Sequence, residues 1–151
     1  MAEDVVVAET VPCFEFLGVD GDWPHCDLCG RDDLAKTYAL RDLESGEVLH
    51  YGSECVKKAT TWTVPRWTRH WKAEQYAVAL DAAVLEYRDC PERHFMLKLG
   101  EELHRWGGND YHYRNAQRNA GYARAEIAAR HKVKSQDILP RLKQMRAPVQ
   151  S

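Results

Sequence analysis

Apolar positions recur at short, strand-like intervals in the first third of the chain and change to helical spacing beyond Pro65. Residues 11–18 (Val-Pro-Cys-Phe-Glu-Phe-Leu-Gly) alternate roughly apolar with polar and predict a short strand. Gly18, Gly21 and Pro24 then mark turns. Two β-prone runs follow at 36–42 and 47–51, and the Leu43-Glu44-Ser45-Gly46 stretch between them is turn chemistry, so the pair predicts a hairpin. Ser53, after Gly52, is placed to N-cap a helix over about 54–60.

After a linker expected near 60–68, Ala73, Tyr76, Ala77, Leu80, Ala83, Val84 and Tyr87 form one apolar stripe on a helix of about 70–89. Pro91 suits a first turn, and Phe95, Leu99, Leu103 and Trp106 continue a second helix to the Gly107-Gly108 stop. Asn109 or Asp110 can cap a third helix, along which Tyr113, Ala116, Ala120, Ala123 and Ile127 step by three and four. A last helix is expected after Ser135 or Asp137. The fold class expected is α+β: a β-rich metal module over 1–62, then a basic helical region of three to four helices over 66–151.

A hydrophobic content of 44% with 29% charged residues excludes a disordered chain. No run approaches the ~18 apolar residues of a membrane span, and the acidic flanks of Val5-Val6-Val7 do not suit a signal peptide. A cytoplasmic protein with no membrane partner is the expectation, and there the five cysteines read as free thiols or metal ligands, not disulfides.

His25-Cys26-Asp27-Leu28-Cys29-Gly30 carries the clearest chemistry. Two cysteines separated by two residues can converge on one ion at about 2.3 Å, and the following Gly permits the tight turn. A redox pair uses the same spacing, but no βαβ pattern surrounds this one. A knuckle, then a hairpin, then a helix opening Gly52-Ser53-Glu54-Cys55 is the layout of a treble-clef zinc module, in which Cys55 faces the knuckle. Cys26, Cys29 and Cys55 are therefore expected to bind Zn2+ as a structural ion. The residue three positions beyond Cys55, where a fourth ligand usually stands, is Lys58. His50 is the first choice for that role, with His25, Cys13, Cys90, His94 and a solvent molecule as alternatives.

Cys-Asp-Leu-Cys-Gly, Thr-Tyr-Ala-Leu-Arg-Asp and Tyr-Gly-Ser-Glu-Cys-Val-Lys-Lys together resemble small uncharacterised proteins of bacteriophages and other mobile elements, which share a Cys-x-x-Cys-Gly knuckle and a Val-Gly-Ser-x-Cys helix start. The resemblance covers about residues 24–60, with Tyr51 standing where Val is usual. It implies a metal module and a mobile-element context in a bacterial host cell, and no particular activity.

Charge is split along the chain. Residues 1–65 carry 13 acidic and 5 basic side chains, whereas 111–151 carry 9 basic and 2 acidic ones, which suits a phosphate-bearing partner for the C-terminal part. Within 126–142, Ile127, Ala128, Val133, Ile138 and Leu142 fall at helix-turn-helix spacing, but the turn lacks the usual Gly and Pro140 is tolerable only if the last helix begins near Asp137, so two ordinary packed helices are preferred over that motif. Arg114, Arg118, Arg130, Lys132 and Lys134 are the candidate nucleic-acid contacts, with Arg114 and Arg118 one turn apart. Trp62, Trp67 and Trp71 interleave with Arg66, Arg69 and Lys72; a buried aromatic seam is preferred over a base-stacking platform.

No nucleophile elbow, phosphate loop, His-Glu-x-x-His or paired-carboxylate signature occurs. The expected role is a non-enzymatic, nucleic-acid-binding accessory protein. The alternatives are an adaptor or inhibitor of a host protein that uses the acidic module, or a metal-dependent nuclease using His50, Asp110 and His112.

Overall fold

The structure is a computed structural model, and it describes residues 11–108 and 110–146. The fold is α+β, a three-stranded antiparallel sheet followed by five helices. In chain order these are β1 (Phe14–Asp20), β2 (Thr37–Asp42), β3 (Val48–Tyr51), α1 (Ser53–Thr60), α2 (Val64–Arg88), α3 (Pro91–Trp106), α4 (Tyr111–His131) and α5 (Ser135–Arg146). The chain divides into two compact units, 1–73 and 74–151, with the boundary inside α2. No helix among the described residues is long and apolar enough to cross a membrane.

In the first unit the sheet order is β1-β2-β3. Phe16 pairs with Leu40 across β1 and β2, and the register shifts between Phe16 and Gly18, leaving Leu17 as an extra residue. Gly18 sits at φ +134°, which a side chain rarely tolerates. Gly18 is thus a bulge within the strand, not the turn expected after it, and the bulge lets β1 run on to Asp20. The hairpin turn forms as its residues predict. The Asp42 carboxylate accepts the Glu44 N–H at 2.8 Å, and Gly46 at φ +77° donates to the Asp42 carbonyl at 2.8 Å.

One face of this sheet and α1 bury Phe16, Tyr38, Leu40, Tyr51 and Val56 together with Trp62 and Trp67. Trp67 stacks on Phe16 at 6.2 Å, and its indole N–H donates to the Thr60 hydroxyl at 2.8 Å. Trp62 and Trp67 are therefore core, as the seam reading expected, and Trp71 packs against them partly buried. The linker anticipated near 60–68 is shorter than that. Helix α2 already begins at Val64, since Pro65 in a first turn gives up no hydrogen bond that the helix would otherwise make.

In the second unit Ala83, Val84 and Tyr87 of α2, Cys90, Ile127 and Ala128 of α4, and Ile138 and Leu142 of α5 form one core. The helical stripe of α2 is only half used, because Ala77 is exposed while Leu80 packs against this core. Phe95 and Trp106 of α3, two of the apolar residues whose spacing predicts this helix, are 59% and 79% exposed. A three-residue turn joins α4 to α5, and Lys132 takes the left-handed conformation there at φ +57°, in the place of the usual Gly. Helix α5 starts at Ser135, so Pro140 lies inside it and not in its first turn.

Candidate functional site

The two halves of the candidate site come from a tight turn and a helix start. At the knuckle the Gly30 N–H donates to the Cys26 carbonyl at 2.8 Å, and the Cys26 N–H donates to the Arg31 carbonyl at 2.9 Å. Gly30 at φ +71° supplies the left-handed residue that this reversal requires. Two hydrogen bonds fasten the knuckle to the end of β3. Asp27 N–H donates to the His50 carbonyl at 2.8 Å, and His50 N–H donates to the Asp27 carboxylate at 2.6 Å. The chain then turns through Gly52 into α1, which brings Cys55 in the helix's first turn over the knuckle.

Gly52, not Ser53, is the N-cap. Its carbonyl accepts the Val56 N–H at 3.0 Å, while its own N–H points at the Cys26 sulfur at 3.4 Å. The residue before the helix therefore serves the site as well as the helix.

Cys26, Cys29 and Cys55 bring their Sγ atoms within 4.8 Å of one another, and the group could hold a metal ion. Two thiolates on one tetrahedral ion at about 2.3 Å lie roughly 3.8 Å apart, so this spacing needs little adjustment. Cys26 and Cys55 are buried and Cys29 is exposed. Burial pushes the Cys26 thiol up, but the backbone N–H groups of Gly52, Cys29 and Leu28 outweigh it and leave the group at about 7. Burial, helped by hydrogen bonding to Cys29 and Cys26, pushes Cys55 up to about 11. Backbone donors thus stabilise one thiolate; three together would need a cation to offset their repulsion.

His50 does not join the sulfur cluster. Its Nε2 lies 3.2 Å from an Asp20 carboxylate oxygen, its Nδ1 lies 3.9 Å from Asp27, and Trp23 stacks on the ring at 5.1 Å. The alternatives are also placed elsewhere. His25 pairs with Asp32 at 2.6 Å, and Cys13 is exposed at the start of the sheet. Cys90 caps α3 in the core of the second unit, and His94 is exposed one turn further on. Among the described residues no fourth His, Cys, Asp or Glu completes the group. A cavity opens over the three cysteines instead, walled by Arg31, Leu34, Gly52, Ser53, Glu54 and Lys58. Arg31 carries no signal in the sequence that would have pointed to it.

The five basic residues singled out in α4 and its following turn fall into two sets. Arg114 donates to Asp110 at 2.8 Å, and Arg130 pairs with Glu86, whose other oxygen lies 2.6 Å from His131. Arg118, Lys132 and Lys134 are exposed, with no ion pair among the described residues. His112 stacks edge-on against Tyr111 at 5.6 Å, and Asp110 is engaged by Arg114.

No protein-family model, curated protein or solved structure matches the chain.

Proposed function

We propose that the chain is a non-enzymatic accessory protein whose first unit is fixed by one zinc ion and whose second unit binds nucleic acid through α4 and α5. The observation that carries this reading is the three-thiol cluster built by a knuckle and a helix start. Thiolates suit zinc, and the order of knuckle, hairpin and helix is that of a treble-clef module. Cys26, Cys29 and Cys55 would hold the ion, whose part is to cross-link the turn to α1 and balance the thiolates' charge. The mobile-element setting rests on the Cys-x-x-Cys-Gly and Gly-Ser-x-Cys resemblance and agrees with an accessory role.

The partner is inferred from charge and shape. Lys132 and Lys134 stand free in the α4–α5 turn and Arg118 on the first half of α4, and Lys143 and Arg146 are exposed basic residues of α5. Ile127, Ala128, Ile138 and Leu142 are buried and Val133 packs on them, which pairs α4 with α5 and leaves these basic residues on the outside. Changing Arg118, Lys132 and Lys134 together to Ala should weaken binding to duplex or single-stranded nucleic acid by about tenfold or more. The salt slope should flatten by roughly one unit per lost phosphate contact. Arg114→Ala and Arg130→Ala should do less, because both guanidinium groups already face carboxylates. No binding by the parent protein at low salt would end this reading.

A protein adaptor is the second reading, and the exposure of Phe95 and Trp106 on α3 favours it. It predicts partner binding that persists at high salt and is lost in Trp106→Ala.

A further inference from the structure

The mouth of the sulfur cluster has a chemistry of its own. Three cysteines converge there, no fourth donor residue joins them among the described residues, and the cavity above them is walled by Arg31, Ser53, Glu54 and Lys58. Lys58 lies one helical turn beyond Cys55, on the side of α1 from which a fourth ligand would come. Arg31 and Lys58 are both exposed and make no ion pair among the described residues.

We infer that the fourth coordination position of the metal is taken by a thiolate supplied from outside the chain, with Arg31 and Lys58 as its counter-charges. The inference rests on the zinc reading given above. Zinc with three thiolates carries one net negative charge, and a fourth thiolate makes it two. A carboxylate at the rim, that of Glu54, opposes such a ligand, whereas the two cations favour it. The three sulfur donors make the ion's environment a soft one, which suits a further sulfur donor. On entering, the thiol gives its proton to solvent and its sulfur forms the fourth bond, with no change of oxidation state. A small free thiol and a cysteine side chain of another protein offer the same chemistry.

Cobalt(II) in place of zinc makes the coordination visible. The full chain loaded with Co2+ is titrated with 2-mercaptoethanol in one arm and with the tripeptide Ala-Cys-Ala in the other. A saturable intensification and red shift of the d–d bands, with the sulfur charge-transfer band growing, is the expected result. Stronger saturation by the peptide points to a protein source, and by the free thiol to a metabolite source. Lys58→Glu and Arg31→Glu should each raise the half-saturating thiol concentration by about tenfold while leaving Co2+ uptake intact. Bands that never change overturn the inference, as does stripping of the ion by thiol. Failure to take up Co2+ at all overturns the zinc reading instead, and this one with it.

Discussion

Leu40 and Phe95 are both large apolar side chains, yet Leu40 is fully buried against Phe16 while Phe95 stands 59% exposed on α3. Leu40→Ala should therefore cost about 3 kcal/mol, within the usual range for emptying a core site. Phe95→Ala should cost no more than about 0.5 kcal/mol. Urea unfolding of the two variants checks the contrast, and equal losses would contradict the burial. Residue type alone does not separate these cases. Leu40 sits in the middle strand of the sheet, paired on both sides with Phe16 and Leu49, whereas Phe95 belongs to a helix whose buried face is set by tertiary packing. The same division runs through the candidate site. Cys26, Cys29 and Cys55 announce themselves by spacing and by the glycines beside them. His50 lies at a position that promised a fourth ligand, but its ring turns to Asp20 and Asp27, two carboxylates that no local pattern connects to it.

At the scale of elements, the hairpin and the four long helices follow from periodicity and turn chemistry, since both are local properties. The bulge at Gly18, the early start of α2 and the cap at Gly52 differ from the expectation. The bulge is fixed by pairing with β2 and Gly52 is tied to the sulfur of Cys26, both contacts made far along the chain. Helix α2, by contrast, starts early because Pro65 fits a helix's first turn. One tie between elements gives a pH test. Arg141 donates to both oxygens of Asp81, at 2.6 and 3.1 Å, joining α5 to α2. Its hydrogen bonds hold the Asp81 carboxyl below its ordinary value, against a smaller upward push from burial. The pair's contribution is complete above the unfolded carboxylate's pKa of about 3.9 and fades as pH falls through the lower folded value. Asp81→Asn should lower the second unit's stability at neutral pH and remove that part of its acid sensitivity. Acid titration by circular dichroism reads the effect, and an unchanged acid midpoint would count against the tie.

Across the whole molecule, the two units differ in what stabilises them. The second has a helical core of its own around Val84, Ile127, Ile138 and Leu142. The first places Cys26 and Cys55 within its core cluster, so a metal bound there adds its binding free energy to that unit's folding. Chelation should accordingly unfold the first unit at a lower temperature while helical signal from the second persists. The most direct test of the account is elemental analysis of the full chain purified without chelator, beside Cys26→Ser, Cys55→Ser and His50→Ala. The account predicts about one zinc per chain in the parent and in His50→Ala, and loss of the metal in both serine variants. A parent chain free of metal and as stable in chelator as without it would contradict the account.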